Sequence, residues 1–548
     1  MRRTTKYTAD LVLLHGDVYT GNPTQKRAQG VAIKGNRIVA VGSDEGIKAL
    51  AGKATRVIDL GGRFVAPGFN DAHVHVLGGG FALARIELTG ATTLEDLKTR
   101  IEAGAALLPP ETWVQGRGWD QALLPESAWP PLALLDEAAG GRPAFLWRVD
   151  GHTAWANTAA LAAAGIGPDT TDPPGGEIVR DAEGRPTGIL KEAAAAVVEK
   201  IVPRPGLAEQ RAAVSAALAE FRRLGITSVS DFSAPEALRV YLELQQESRL
   251  TVRINAWGEL AEDMTAQEAA REQFASDNPF IRFGTLKAFI DGTLGARTAA
   301  LLAPYSDSLL ESGLAQIGEA HLRRLVGRAH RAGFQVALHA IGDRAVRMAL
   351  DALEHLGPEG ARRRHRIEHA EVINPDDLGR FVATGAVASM QPSQMLSDMK
   401  WLHERLGADR LGQAFPWRRL ADCGAKVIFG SDWPIEPLNP LRGIFAATAT
   451  LSPRGYPSLG LRAEAQFLIE ESLDAYTRSP AWASFEDTLK GTIVAGQLAD
   501  LVVLSRDPTT ESLDELPAIE VDYTIFDGKV VHARESSELT AEPAAEDV

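Results

Sequence analysis

The chain has 548 residues, 45% of them apolar and 24% charged, a composition typical of a soluble globular protein too long for a single hydrophobic core. A formal charge of −15 at pH 7 argues against a nucleic-acid partner and against binding to an anionic membrane surface. The one cysteine, Cys423, excludes an internal disulfide, and no run approaches the ~20 apolar residues of a membrane span.

Both ends of the chain carry short apolar stretches punctuated by glycine, asparagine and aspartate, a pattern typical of small antiparallel sheets. They are DLVLLHGDVYTG, GVAIKGNRIVAVGS and ATRVIDLGGRFVAPG at the start, and GQLADLVVLSRDP and YTIFDGKVVHA near the end. They predict one composite β-sandwich built from residues 1–62 and 481–535, with two separate β-caps as the alternative. The acidic residues 536–548 are expected to form a disordered tail. Because the N-terminus has no apolar stretch of signal-peptide length, we expect a cytoplasmic protein.

Between residues 63 and 480, apolar runs rich in β-branched residues alternate with helical segments rich in Ala, Leu, Arg and Glu. The eight candidate strands are RFVAPGFNDAHVHV, GITSVSDF, TVRINAWG, FGTLKAFIDG, FQVALHAIGD, RIEHAEVI, GAVASMQPS and KVIFGSDWPI. This alternation predicts parallel strands, and eight of them predict an α/β fold with a closed TIM (β/α)8 barrel. Residues from about 78 to 205 form an insertion after the first barrel strand. We interpret it as a lid over the barrel mouth, with a purely structural subdomain as the alternative.

Potential metal ligands occur at the ends of the first and last predicted barrel strands, where barrel enzymes place their chemistry. His73 and His75 are two residues apart on an extended strand, so both imidazoles face the same side and can share a metal ion. Asp432 directly follows a run of Val, Ile and Phe, and a buried carboxylate there needs a partner. A metal-activated water is one such partner, with Asp432 as its general base; a helix N-cap is the alternative.

Three further candidates end the strands between these two. A lysine inside an apolar strand, Lys287, has a lowered pKa, and its neutral amine can react with carbon dioxide to form an anionic carbamate that bridges two cations. The residues alone favour the simpler alternative, an ion pair with Asp291. His339 and His369 lie about one strand–helix unit apart. Each alone is typical of a hydrogen-bonded core histidine, but the set of four imidazoles at equivalent strand ends indicates a metal centre.

This ordered set, His-x-His, Lys, His, His, Asp, resembles the amidohydrolase superfamily. The segments AFIDGTLGARTAAL, LHAIGDRAV, RIEHAEVI and GSDWPIEPLNP resemble the branch that includes N-substituted formamide deformylases (amidohydrolase family 3). The resemblance covers almost the whole chain and implies a divalent metal. Zinc is the first candidate, although iron, manganese or cobalt suit the same ligands. It also favours a homodimer.

The resemblance implies a role for each of these residues. His73 and His75 with Asp432 would hold the more buried metal, and His339 and His369 the more exposed one. Carbamylated Lys287 would bridge the two ions; without the carbamate, one ion is expected. Asp432 would also be catalytic, passing a proton from the attacking water to the leaving nitrogen.

Three residues outside this set are candidate substrate-binding groups. The resemblance makes His152, in DGHTAWANTAAL, a catalytic and substrate-orienting residue that polarises the carbonyl, with loop bracing as the alternative. Trp119 and Arg297 are weaker pocket candidates, because Trp119 equally suits a lid core and Arg297 a loop brace.

The resulting prediction is a metal-dependent amidohydrolase that cleaves an amide, N-acyl or N-formyl C–N bond of a small molecule. A deaminase, or a cyclic-amide or lactone hydrolase on the same metal site, is the alternative. His321, His330 and His355 lie on helical patterns of mixed polarity, and we expect them at the surface.

Overall fold

The computed structural model describes residues 8–108, 112–125, 128–148, 153–232, 235–274, 278–449 and 466–535. His152 and the predicted tail, 536–548, lie outside these residues. The described residues form two compact units, one from those within 1–79 and 217–548 and the other from those within 80–216.

Eight parallel strands form the central sheet of the larger unit, and their order in the sheet follows their order in the chain. They are β1 (Phe69–Val74), β2 (Ile226–Phe232), β3 (Arg253–Glu259), β4 (Ile281–Phe289), β5 (Gln335–Ala340), β6 (Arg366–His369), β7 (Val387–Met390) and β8 (Lys426–Phe429). Each lies within or overlaps one of the eight predicted strands. Strands β1 and β5 are buried at every position, as expected for parallel strands covered on both faces. The predicted (β/α)8 barrel is therefore confirmed.

The first and last strands close the barrel at their C-terminal ends. The backbone N–H of Asp432 donates to the carbonyl of His73 at 2.7 Å, and that of His75 donates to the carbonyl of Trp433 at 2.8 Å. Gly430 permits this approach, because a Cβ there would lie 2.6 Å from the backbone nitrogen of His73. Closure thus brings Asp432 beside two histidines that are more than 350 residues away in the chain.

Amphipathic helices cover the outside of the barrel. In Asp343–Glu354, for example, Val346, Ala349, Leu350 and Leu353 form one buried face at helical spacing. The α-helices that follow the barrel strands along the chain are Val76–Ala84, Leu207–Arg223, Pro235–Gln246, Thr265–Gln273, Glu319–Arg331, Asp343–Glu354, Gly357–Ala361, Leu378–Thr384, Pro392–Asp398, Leu402–Arg410, Trp417–Asp422, Pro440–Thr448, Ile469–Ala475 and Arg478–Ala483. Among the described residues, no helix combines the length and apolar character that crossing a membrane requires.

The larger unit has two further sheets, one built from the N-terminal end of the chain alone and the other from both chain ends. The first sheet contains Leu11–Leu14, Gly30–Lys34, Arg37–Gly42 and Arg56–Asp59, and the short helix Asp44–Lys48 lies between the last two of these strands in the sequence. The second sheet contains Asp17–Tyr19, Arg27–Ala28, Phe64–Pro67, Leu501–Leu504, Val521–Phe526 and Lys529–Ala533. Phe64–Pro67 pairs antiparallel with Leu501–Leu504, so the second sheet needs both ends of the chain. Side chains of both sheets share one apolar core, as in a sandwich.

The smaller unit has its own six-stranded sheet and core. Its strands are Ile86–Glu87, Val114–Trp119, Ala144–Arg148, Thr153–Ala156, Gly176–Arg180 and Pro186–Glu192, and its helices are Leu94–Ala106, Leu132–Ala138, Thr158–Ala163 and Ala193–Glu199. In the sequence it falls between β1 and β2, the position of the predicted insertion.

Candidate metal centre

Three potential ligands meet where β1 ends and just beyond the end of β8. One ligand atom from each of His73, His75 and Asp432 lies within 4.8 Å of the other two. The Oδ1 atom of Asp432 is 3.1 Å from His75 Nε2 and 3.5 Å from His73 Nε2. Two imidazole nitrogens and a carboxylate oxygen around one point form a donor set suited to zinc and similar divalent ions.

The two remaining histidines extend this cluster along the neighbouring strand ends. The ring centroid of His369 lies 5.2 Å from that of His73 and 4.4 Å from that of His339. His369 Nδ1 is buried without a hydrogen-bond partner among the described residues. Because an unpaired buried nitrogen is costly, a cation at this position would satisfy it. The structure therefore brings together all four imidazoles singled out in the sequence.

Burial keeps three of the imidazoles, those of His73, His339 and His369, neutral. It lowers the pKa of His73 to about 4 and that of His339 to about 3, with the positive charge of Lys287 as the second cause. Burial, followed by the neighbouring His339, holds the pKa of His369 well below its ordinary value. Metal binding requires neutral imidazole, so these three histidines are in the ligating form at neutral pH. The donor set, its protonation and the unpaired nitrogen all fit a divalent cation.

Lys287 is buried on β4, and burial lowers its pKa to about 8. Within the described part of the chain, it forms no ion pair with a carboxylate. The alternative partner, Asp291, instead accepts backbone N–H groups of Ala300 at 2.8 Å, Gly342 at 2.9 Å and Ile341 at 3.0 Å. With a pKa of about 8 the amine is mostly protonated at pH 7, and a minority of molecules has the neutral amine that carbamylation requires.

A buried ion pair between Arg366 and Glu368, not predicted from the sequence, contacts the Nδ1 side of His73. Glu368 Oε2 lies 2.6 Å from His73 Nδ1, and Glu368 Oε1 accepts a hydrogen bond from Arg366 Nε at 2.7 Å. Burial alone would raise the pKa of Glu368, but Arg366 and His73 lower it to about 2. An ionised carboxylate only accepts, so the His73 Nδ1–H donates to it and the Nε2 lone pair faces the metal cluster.

Two other contacts and an unusual backbone conformation accompany this arrangement. The indole of Trp257 lies against Arg366, 4.4 Å from guanidinium carbon to ring centroid. The side-chain amide of Gln394 donates to Asp432 Oδ2 at 3.2 Å. His369 and Asp432 adopt φ values of 71° and 58°, in the left-handed region that non-glycine residues rarely occupy and that is frequent at functional sites.

Trp119 and Arg297, two other predicted site residues, each have well-defined contacts of their own. Trp119 is fully buried in the core of the smaller unit, where its indole N–H donates to the carbonyl of Leu146 at 2.9 Å. Arg297 forms a two-pronged ion pair with Asp307 at 2.8 and 3.1 Å. These are the contacts of a core residue and a loop brace, so neither is assigned to the metal centre. His152 lies outside the described residues.

Comparisons with known proteins show which family this chain resembles. The model of the amidohydrolase family matches residues 56–532. The putative amidohydrolase YtcJ of Bacillus subtilis is 31% identical, over 95% of this chain and 98% of its own. The N-substituted formamide deformylase of Arthrobacter pascens is 28% identical, over 96% and 99% respectively. A crystal structure of an uncharacterized metal-dependent hydrolase from Pyrococcus horikoshii OT3 superposes with a TM-score of 0.77 at 29% identity, covering 92% of this chain and 99% of that one.

Proposed function

Because this chain belongs to the amidohydrolase family, we propose that it hydrolyses an amide or N-acyl bond, N-formyl bonds included, in a small molecule. The predicted enzyme class, a hydrolase of C–N bonds other than peptide bonds, is confirmed at the level of the family. The observation that carries the proposal is the cluster of His73, His75 and Asp432, extended by His339 and His369.

In this proposal, His73, His75 and Asp432 would hold one divalent ion, for which zinc is the first candidate, and His339 and His369 would hold a second. When bound, such an ion supplies Lewis-acid chemistry that activates water and polarises the substrate carbonyl. Glu368 fixes the tautomer of His73, so that its Nε2 lone pair is available without reorganisation.

Asp432 has the properties of a general base. Burial would raise its pKa, but His73 and His75 lower it below the ordinary value, so the carboxylate is ionised at neutral pH. Its Oδ1 faces both histidines and its Oδ2 is held by Gln394. We assign to Asp432 the transfer of a proton from the attacking water to the leaving nitrogen.

The chemical state of Lys287 would determine how many ions the site holds. If its neutral amine is carbamylated, Lys287 would supply a further anionic ligand and the site would hold two ions; if not, one ion is expected. His152 remains a proposed carbonyl-polarising residue, on the strength of the family resemblance alone. The homodimer and the cytoplasmic location likewise remain predictions from the sequence.

The experiment that tests the proposal is a substrate panel assayed with the metal-loaded protein. We expect hydrolysis of N-formyl and N-acyl amines, and loss of that activity in the His75→Ala and Asp432→Asn variants. His355 is an exposed residue at the C-terminal end of the helix Asp343–Glu354, so the variant His355→Ala serves as the control and should retain activity. Turnover of exocyclic aminopurines, cyclic amides or lactones in place of the acyl amines would contradict the proposed bond and favour the alternative functions.

A further inference from the structure

A cavity of about 260 Å³ opens at the end of the barrel opposite to the metal centre. Gln335, the first residue of β5, lines it, whereas His339 lies four residues further along the same strand. Four residues of strand span about 13 Å. The cavity is therefore separate from the metal centre, although the same strands build both.

Three arginines line this cavity, and no acidic side chain is among its described lining residues. The charge of Arg282 is balanced by Glu486, 3.7 Å away. Arg271 donates from Nη1 to the carbonyl of Ala332 at 2.6 Å and stacks over a phenylalanine ring, but its charge has no carboxylate partner in the described part of the chain. The guanidinium of Arg363 has neither a hydrogen-bond partner nor an ion pair among the described residues.

The two arginines without carboxylate partners approach a single point beside Gly333. A Cβ placed on Gly333 would lie 3.1 Å from Arg271 Nη1 and 3.9 Å from Arg363 Nη2. Gly333 has φ 87°, a conformation that favours glycine, and the absence of a side chain leaves that point open. Two like charges held this close repel each other, and an anion between them would relieve the repulsion.

We propose that the cavity between Arg271 and Arg363 binds the phosphate group of a small organic phosphate monoester. A phosphate monoester carries close to two negative charges at neutral pH, which matches two unbalanced guanidinium groups, whereas a carboxylate carries one. The planar donors of arginine suit phosphate oxygens in pairs. Phe274 and Phe485 also line the cavity and offer apolar rings to the organic part of the ligand.

The net negative charge of the protein disfavours non-specific binding of anions. With a net charge of −15, its long-range field repels them, so binding has to come from local contacts. The neighbouring residue Arg362 provides a matched control for this point. It is exposed, pairs with Glu359 at 2.9 Å, and does not line the cavity.

Calorimetric titration of the metal-loaded, full-length protein with inorganic phosphate and with phenyl phosphate tests the proposal. We expect the Arg363→Ala substitution to weaken phenyl phosphate binding by about tenfold or more, since a charge-assisted contact is lost. The Arg362→Ala variant removes the same charge and should change the affinity by less than about twofold. Phenyl phosphate should bind the wild type more tightly than inorganic phosphate does.

Each contrary result has a definite meaning. Absence of phosphate binding to the wild type would overturn the proposal, and so would equal losses in the two arginine variants. Binding of undiminished strength in Arg363→Ala would also overturn it, because it would locate the phosphate elsewhere, for example at the metal centre. Equal affinity for both ligands would overturn the assignment to an organic phosphate. Thermal unfolding, together with the charge-retaining Arg363→Lys variant, separates lost binding from lost folding.

Discussion

Replacing Glu368 by glutamine should weaken metal binding without changing any proposed ligand. The substitution keeps the size of the side chain but removes its negative charge. In the wild type, that charge holds His73 Nδ1 at 2.6 Å and Arg366 Nε at 2.7 Å, in surroundings with no solvent access. A glutamine amide can donate to His73 as well as accept from it, so the tautomer that presents Nε2 to the metal is no longer enforced.

The substitution should reduce both the metal affinity and the free energy of unfolding. Outer partners of metal-bound histidines typically contribute about 10- to 100-fold to metal affinity or activity. Removing one member of a buried ion pair costs about 3–5 kcal/mol of folding free energy, because Arg366 is left buried without its counter-charge. Since the glutamine oxygen can still accept from Arg366, we expect about 3 kcal/mol, at the lower end of that range.

Metal affinity measured by competition with a chelator, and stability measured by urea unfolding, report these two effects separately. The matched control is Glu486→Gln, which also removes a buried carboxylate, one that pairs with Lys490 at 3.0 Å away from the metal centre. Both variants should lose stability, but only Glu368→Gln should lose metal affinity. Equal metal affinities in Glu368→Gln and the wild type would refute the reasoning.

Three further predictions follow from other parts of the larger unit. At saturating metal, Asp432→Asn should lower kcat by about 100-fold or more with a smaller change in KM, because the proton acceptor is lost; an unchanged kcat in steady-state assays would exclude Asp432 as the base. Burial lowers the pKa of His365 to about 3 from its ordinary 6.5, so the unfolded chain takes up its proton first and stability falls as the pH drops from about 6.5 towards 3. Urea unfolding of His365→Asn should show a pH slope smaller by up to about 1.4 kcal/mol per pH unit in that range, and an identical slope would contradict the assignment. Asp500→Asn should destabilise the protein by about 3 kcal/mol, because Asp500 forms two hydrogen bonds with the buried Arg253 at the start of β3; a chemical denaturation midpoint equal to that of the wild type would show that this pair contributes nothing.

The barrel could be predicted from the sequence because each of its strands has a recognisable local residue pattern. Each is a short run of β-branched and apolar residues followed by a polar residue, and parallel strands place those polar residues at one end of the sheet. The positions of His73, His339, His369 and Asp432 follow from that rule without any knowledge of side-chain packing.

The supporting contacts could not be predicted in this way. Glu368 contacts a histidine 295 residues away in the chain, and only the closed barrel brings them together. A signal was nevertheless present, since Arg366 and Glu368 occupy alternate positions of a strand, a spacing that puts two charged groups on the same face. Neither could be assigned a partner from the sequence.

The roles and exposure of some individual side chains could not be predicted either, because they depend on tertiary packing that the sequence does not specify. Trp119 and Arg297 each suited two roles, and their contacts are those of a core tryptophan and a loop brace. The prediction that His330 lies at the surface is only partly right. Its ring is half-buried, with Nδ1 3.4 Å from Nε2 of His365, whereas His321 and His355 are exposed as expected.

Metal content, determined by elemental analysis of the purified, reconstituted protein, tests the central claim most directly. We expect about two zinc-like ions per chain in the wild type and in the control His355→Ala, if Lys287 is carbamylated. The His73→Ala variant should lose metal, and Lys287→Ala should retain at most one ion. One ion per chain that survives the loss of Lys287 would limit the account to a mononuclear site. No metal in the wild type even after reconstitution, or full metal content in His73→Ala, would contradict it.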